Sequence, residues 1–392
     1  MKKIRILRII NRFNIGGPTY NATFLTALLG DDYETMLVGG LPEEGESDSL
    51  FILKKYGVTP VLMDEMVREP SLKSDRKAYK KLKEIIREFK PDIVHTHASK
   101  AGALGRKAAS ACKVPVIVHT FHGHVFHSYF GSVKTTLFKF IERNLSKKST
   151  GIIAISAIQK RELTEIHKIC PPEKVRVIQL GFDLLPFHEK RLSERENVRA
   201  QYSLTESDIA IAIIGRIAAI KDHSFFLDVI ESVNQRTTKS IKIFIVGDGP
   251  DRNVIEERVS EINSKHSNLI LMTSWIKDIG TFNAGMDIIC LTSKNEGTPV
   301  SLIEAQAANI PVISTDVGGV RDILDDGETG FVVPHGDLEL YSEKLLELCE
   351  DEKTRAKMSQ NGWNYVHEKF HYTTLVKNMD RYYRELLKIE SK

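Results

Sequence analysis

No run of eighteen or more apolar residues occurs in the 392-residue chain, which argues against a membrane-spanning helix. Cysteine is scarce. Cys112, Cys170, Cys290 and Cys349 are scattered without metal-site spacing, as expected of buried thiols in a reducing cytosol. There is no HExxH and no GxGxxG, so the signatures of a helical zinc site and of a dinucleotide fold are both missing. The opening Met-Lys-Lys-Ile-Arg-Ile-Leu-Arg-Ile-Ile threads charges through its apolar positions and has no small-residue cleavage site. It reads as a first strand, not a signal peptide.

The length exceeds one ordinary core and predicts two domains. A composition 42% hydrophobic and 27% charged is that of a soluble globular protein. The charge is uneven: residues 1–183 hold 30 Lys and Arg against 19 Asp and Glu, and the remainder 25 against 33. A basic first half suits a surface that meets phosphates, nucleic acid or an acidic membrane, and an ordinary solvated exterior competes with that reading.

Strand-like apolar runs occupy residues 4–10, 35–38, 58–63, 92–96, 115–120, 151–155 and 175–180, then 209–215, 241–246, 269–272, 286–292 and 310–314. Helical patterns fill most gaps, among them 19–30, 75–90, 101–112, 133–147 and 157–167, and the chain finishes in helices over 338–349, 352–368 and 372–389. This alternation predicts an α/β protein with doubly wound parallel sheets, whose ligands lie beyond the carboxyl ends of the strands. Residues 184–207 are polar and read as a linker with a helix leading into the second domain.

The densest constellation is Ser293-Lys-Asn-Glu296-Gly297-Thr298-Pro299-Val300-Ser-Leu-Ile-Glu304, set between two buried strands. Pro299 suits a first helical turn, with Thr298 as its N-cap. The free N–H groups of that helix favour an anion. Glu296 and Glu304 would lie ~12 Å apart along an ideal helix, close enough to grip different parts of one hydroxyl-rich ligand. Two solvated glutamates are the competing reading. Upstream, Gly215-Arg216 and Lys221 flank a strand-to-helix turn, a fork and a point charge suited to a diphosphate. Gly247-Asp-Gly-Pro is a second glycine turn. Trp275-Ile276 forms an apolar ledge suited to a planar base, although the core is the commoner place for tryptophan.

In the first half, Gly16-Gly17-Pro18 either curls against a phosphate or forms an ordinary tight turn. His95 and His97 end one strand, and His119, His122, His124 and His127 gather at the end of the next. They read as a metal site or as structural hydrogen-bonders. The lack of a nearby carboxylate and the alternation of extended chain count against the metal. His122, beside Gly123, is best placed to reach a ligand. The 133–147 helix sets Lys134, Lys139, Arg143, Lys147 and Lys148 against a face of Val133, Leu137, Phe138, Ile141 and Leu145. Such a helix lies on an anionic membrane or simply packs on a sheet.

In order along the chain, the Gly-Gly turn, Arg216 with Lys221, Gly247-Asp-Gly249-Pro250, the Glu296-to-Glu304 pair and the following Val317-Gly318-Gly319 strongly resemble the retaining glycosyltransferases of family 4, which have the GT-B fold. His95-Thr-His97-Ala-Ser-Lys100-Ala-Gly, with Phe121-His122-Gly123-His124, further resembles members that build bacterial surface polysaccharides or lipid-linked glycans. The resemblance implies two Rossmann-like domains facing a central cleft. Residues 1–183 would form the acceptor side, with the 371–392 helix packed back on it, and residues 184–370 would bind a nucleotide-sugar, UDP-linked in the sub-family resembled.

On the same basis Arg216 and Lys221 neutralise the departing diphosphate, Glu296 binds the sugar and Glu304 the ribose. His122 sits near the sugar, and Gly16 and Gly17 close over the phosphates. Gly215, Gly247, Trp275, Ile276 and the backbone of Gly297, Thr298, Pro299 and Val300 complete the donor site. The resemblance implies front-face attack with retained configuration, the leaving phosphate oxygen taking the acceptor proton. It implies neither metal nor cofactor, and the chain has no Asp-x-Asp pair to hold a metal. The acceptor implied is a glycan or a polyprenyl-diphosphate-linked glycan, with no nucleic acid partner. The scattered cysteines point to the cytoplasm, and the basic helices over 73–90 and 134–148 to a peripheral contact with the inner face of an anionic membrane. Rival readings are a nucleotide-sugar 2-epimerase of the same fold and a non-catalytic membrane- or nucleic-acid-binding protein. An oxidoreductase is disfavoured by the missing dinucleotide fingerprint.

Overall fold

Parallel strands alternating with helices make up two units, Met1–Phe182 with Phe370–Lys392, and Asp183–Lys369. The structure is a computed structural model that describes residues 2–14, 17–42, 49–67, 71–122, 132–266 and 269–389.

The first unit contains β1 (Ile4–Arg12), β2 (Tyr33–Gly40), β3 (Val61–Leu62), β4 (Ile93–His97), β5 (Val116–Phe121), β6 (Gly151–Ala154) and β7 (Val175–Val177), in the sheet order β3-β2-β1-β4-β5-β6-β7. The second contains β8 (Asp208–Ile214), β9 (Ser240–Val246), β10 (Ile270–Thr273), β11 (Ile288–Leu291), β12 (Val312–Thr315) and β13 (Gly330–Val333), in the order β10-β9-β8-β11-β12-β13. Both sheets are doubly wound and parallel, as the alternating pattern predicts. The order reverses between β1 and β4 and between β8 and β11, where the loops diverge and leave a crevice for ligands. The predicted strand over 58–63 shrinks to two exposed residues because it lies at a sheet edge and pairs with β2 alone.

Side-chain alternation divides the first core. Leu7 and Ile9 pack with Leu82, Ile86 and Ala108 on one face of the sheet. Ile6 points the other way, towards Phe24, Leu25 and the final helix, Tyr372–Leu387, which contributes Leu375, Met379, Tyr382 and Tyr383. Arg384 of that helix bonds Asp32 at 2.8 Å, and the Tyr33 hydroxyl donates to Asp380 at 2.5 Å.

Two expectations need correction. The stretch 184–207 is not a linker. It folds into helices Leu185–Ser193 and Arg195–Gln201, which belong to the second unit. Arg191 donates to the carbonyls of Ala284 and Met286 at 2.6 Å, while Arg195 and Arg199 grip Asp287 at 2.6 and 2.9 Å. These arginines make the segment look solvated, although their targets lie inside the unit. The Ser132–Lys148 helix also packs differently from its apolar pattern. It buries Leu145 and Glu142 and leaves Leu137 and Phe140 exposed at 57% and 62%. Glu142 faces inward because the fully buried Arg106 donates to both its carboxylate oxygens, at 3.0 and 2.8 Å. The side chains of 132–134, including the basic Lys134, lie outside the described residues. Among those described, no helix is long and apolar enough to cross a membrane.

Burial opposes ionisation of Asp287, but Arg195, the Ala210 N–H and Arg199 outweigh it and hold the carboxyl below its ordinary range. Asp287→Ala would strand Arg199, whose side chain is 9% exposed, without its counter-charge. We expect a loss of about 3–5 kcal/mol, read as a lower denaturation midpoint in urea.

Candidate functional site

The crevice between β8 and β11 is built by loops that hold one another. Beyond β8, Gly215 N–H donates to Val246 O at 2.9 Å and Ile217 N–H to Asp248 O at 3.0 Å. The loop after β9 presses so closely on this one that a Cβ on Gly247, at φ +144°, would overlap the Gly215 carbonyl oxygen. The chain then makes a short turn, Ala219–Lys221, and enters the helix His223–Arg236 through Asp222, which is left-handed and supplies no side-chain cap. Thr292 Oγ1, just past β11, donates to the carbonyls of Lys221 and Asp222 at 3.0 and 3.1 Å, and Lys294 N–H to that of Ile220 at 2.8 Å.

These ties bring Lys221 Nζ to 2.5 Å from Glu296 Oε1. Ser293 Oγ donates to the same oxygen at 2.6 Å. The backbone behind Glu296 is braced by Gly318 and Gly319. A Cβ on Gly318, at φ +51°, would overlap the Glu296 carbonyl oxygen, and Gly319 N–H donates to that oxygen at 3.1 Å. Ser293 was not singled out by sequence reasoning, and the glycine pair entered it only as part of a family pattern. The available signals were their places directly after β11 and β12.

The helix Val300–Ala307 begins with Pro299 in the N-cap position, at φ −73° and ψ 92°, and with no side-chain cap. Thr298 is therefore not the cap. The proline ring fixes φ and an extended ψ delivers the chain into the helix, so its first N–H groups stay free of a side-chain acceptor. Glu304 lies on this helix, half-buried and with no hydrogen-bond or ion-pair partner among the described residues. Burial pushes its carboxyl up to about 7. Arg216 is exposed, and its guanidinium is likewise unpartnered. Beside Gly297 there is open space. Trp275 stands 58% exposed beyond β10, not in the core, with Ile276 half-buried next to it. The unit thus offers two cations, one held and one unpaired carboxyl, an uncapped helix end and an indole face. Together these suit a ligand with phosphate, hydroxyls and a flat ring.

The remaining predicted residues belong to the first unit. Gly17 opens the helix Gly17–Ala27, two residues earlier than the pattern suggests. Gly16, Gly123, His124 and His127 lie outside the described residues. The histidine cluster is largely spent on protein hydrogen bonds. His95 lies between Tyr383 Oη at 2.5 Å and Thr120 Oγ1 at 2.7 Å, and His119 pairs with Thr96 Oγ1 at 2.9 Å. His97 Nδ1 meets His122 Nε2 at 2.9 Å. Burial lowers the His122 pKa to about 3, so the ring is neutral. Among the described residues no group of His, Cys, Asp and Glu is arranged to hold a metal ion.

The chain is similar to known proteins along most of its length. Residues 16–184 match the family model Glycosyltransferase Family 4, and residues 194–365 match Glycosyl transferases group 1. The chain is 28% identical over 352 residues to an Escherichia coli UDP-Gal:alpha-D-GlcNAc-diphosphoundecaprenol alpha-1,3-galactosyltransferase, covering 87% of this chain and 89% of the relative. It is 28% identical to the Staphylococcus aureus capsular polysaccharide biosynthesis glycosyltransferase CapM, covering 86% and 88%. A solved glycosyltransferase from Rickettsia africae superposes with a TM-score of 0.80 at 21% identity, covering all of both chains. That likeness, with the two Rossmann-like units, is the GT-B fold. The two family models follow each other along most of the sequence, and the chain belongs to the family 4 glycosyltransferases.

Proposed function

We propose that the protein transfers a sugar from a UDP-linked donor, held by the second unit, to a lipid-linked glycan presented to the first, in the synthesis of a surface polysaccharide. The observation that carries this reading is the Lys221–Glu296–Ser293 cluster at the β8/β11 switch point, with Arg216 and Glu304 unpaired beside it. The donor and acceptor named for the Escherichia coli relative, and the capsular role named for the Staphylococcus aureus one, support the finer assignment.

In this reading the bond from the anomeric carbon to the β-phosphate breaks as a bond to the acceptor oxygen forms on the same face. Configuration is retained. The acceptor proton passes to the leaving phosphate oxygen, and UDP departs. Lys221 has three N–H donors, so it bridges Glu296 and a phosphate oxygen at once. Arg216 supplies a second positive charge. These cations stand where a divalent metal would otherwise neutralise the diphosphate, so the reaction runs without one. Glu296 accepts sugar hydroxyls through Oε2, Glu304 accepts the ribose hydroxyls, and Trp275 with Ile276 backs the base. The four free thiols fit a cytoplasmic location. Leu137 and Phe140 share an outward stripe of their helix with Lys147 and Lys148, which suits shallow insertion into an anionic membrane surface.

Lys221→Ala should lower kcat by about 10²–10³-fold with a smaller change in donor KM, because the charge matters most as the phosphate departs. Initial rates with several UDP-sugars test this, and a change in KM alone would contradict it. In a thermal-shift panel of UDP, GDP, ADP and NAD, UDP at 100 times its dissociation constant should stabilise the protein by about 2.7 kcal/mol. Glu304→Ala should weaken that shift. Ribose hydroxyls favour the ionised carboxylate, so UDP affinity should rise as pH climbs to about 7 and level off above it. Glu304→Gln should flatten the profile, and a profile unchanged in that variant would remove Glu304 from the ribose. The protein should sediment with phosphatidylglycerol vesicles at low salt, less so as Phe140→Asp. Failure of the wild type to sediment would exclude the membrane contact and leave the transfer chemistry standing.

A further inference from the structure

A pocket of about 440 Å³ opens in the first unit between the end of the Ser132–Lys148 helix and the segment from Thr164 to Lys174. It lies at the amino ends of the strands, because β6 starts at Gly151, just after the helix, and β7 at Val175, next to Lys174. The ligand crevice of a doubly wound sheet opens at the other ends. The pocket therefore lies away from the crevice at the β1/β4 switch point. Among its lining residues Arg143, Lys147, Lys168 and Lys174 are cations, and none is a carboxylate.

Two of these cations are fixed by carbonyls. Arg143 donates through Nε to Lys168 O at 2.9 Å and through Nη2 to His167 O at 2.8 Å, and Lys174 Nζ donates to Ser146 O at 2.7 Å. Ser146 Oγ ties the same wall together by donating to Ile169 O at 2.9 Å. A guanidinium carries five N–H donors and an ammonium three, so both side chains are held in place with donors to spare. Cations over the last carbonyls of a helix need no ligand to explain them. Lys147 and Lys168 cover none. Both are exposed, and neither has a hydrogen bond or ion pair among the described residues. Glu142 and Glu165, close by in sequence, are engaged by Arg106 and Arg161, and the exposed Glu173 does not line the pocket. Like charges gathered round one hollow repel one another, and an anion between them relieves that cost.

The rim beside these cations is apolar. Phe140, 62% exposed, lies one turn before Arg143 on its helix, and Ile166, 58% exposed, directly precedes His167, whose carbonyl Arg143 holds. Phe140, Arg143 and Lys147 follow at spacings of three and four, so they share one face. A cationic hollow beside exposed hydrocarbon suits an amphiphile with an anionic head. We propose that the pocket binds a lipid phosphomonoester, with its phosphate among Arg143, Lys147, Lys168 and Lys174 and its hydrocarbon against Phe140 and Ile166. A phosphomonoester carries roughly −1.5 to −2 charges at pH 7 and presents three acceptor oxygens. The phosphodiester of phosphatidylglycerol has a single charge and fewer free oxygens, so it answers fewer of the oriented donors. The inference rests on the membrane contact proposed for this helix, not on the transfer chemistry, and adds to that contact the recognition of one headgroup.

The test is sedimentation of the full-length protein with phosphatidylcholine vesicles that carry either phosphatidic acid or phosphatidylglycerol, in proportions giving equal surface potential. The wild type should bind the phosphatidic acid vesicles about tenfold more tightly. Lys147→Gln combined with Lys168→Gln leaves the carbonyl bonds of Arg143 and Lys174 in place, and it should abolish the preference. Lys80→Gln combined with Lys81→Gln removes the same charge from two exposed lysines of the Leu72–Phe89 helix and should leave the preference intact. Glycerol 3-phosphate, the head without its hydrocarbon, should bind in solution more weakly than the lipid and suppress the preference when added in excess. Equal binding of wild type to both vesicles overturns the inference and leaves the membrane contact standing. Equal loss of preference in both double variants overturns it too, because bulk charge then accounts for the binding. Failure to sediment with either vesicle removes the membrane contact and the inference together. Glycerol 3-phosphate bound as tightly as the vesicle lipid overturns the lipid assignment and makes the ligand a soluble phosphomonoester.

Discussion

The ion pair between Lys221 and Glu296 is the constraint on which the second unit's site depends. Its two side chains are 22% and 10% exposed, dry enough for each charge to need the other and open enough for both to meet a ligand. Each loop around it has a share in keeping it. The turn before Lys221 is held by Thr292 and Lys294, Glu296 is held by Ser293, and the backbone beneath Glu296 rests on Gly318 and Gly319. In the proposed reading, a phosphate arriving at Lys221 would find a cation already oriented. The electrostatic work of arranging it was done during folding.

Glu304 shows the opposite design on the same stretch of chain. It has no partner among the described residues, and its environment disfavours the charge it would carry. A carboxyl in that condition is a vacancy for hydroxyl donors, because they relieve the cost of ionising it. One loop and one eight-residue helix therefore present a carboxylate that the protein has already satisfied and another with no partner among the described residues.

The fold was legible because period and length speak together. Every predicted strand is found in one of two parallel sheets, and the switch points follow from the strand order. Around the β8/β11 crevice, Arg216, Lys221 and Glu296 follow the carboxyl ends of buried strands and Glu304 lies on the next helix, and it was their order along the chain, matching a family pattern, that singled them out. What stayed hidden depends on partners distant in sequence. Glu142 reads as a solvent-facing charge until Arg106, 36 residues earlier, is seen beside it. The arginines of 191–199 read as linker until Asp287 appears between two of them. Thr298 fits an N-cap by type, and only the backbone angles of Pro299 show that the cap position is taken. The histidines could not be sorted from spacing, because their roles are set by Tyr383, almost 290 residues away.

The return of the last helix to the first unit also has a meaning for the order in which the protein is made. Leu375, Met379, Tyr382 and Tyr383 complete one face of the first sheet, and Tyr383 covers Arg8 and His95. As the chain leaves the ribosome, β1 to β7 emerge early, yet their apolar face and their buried arginine stay uncovered while the whole second unit is synthesised. The second unit is contiguous, and everything it needs is present before the final helix exists. The unit whose strands are translated first therefore matures last, because the helix that closes it follows the whole second unit.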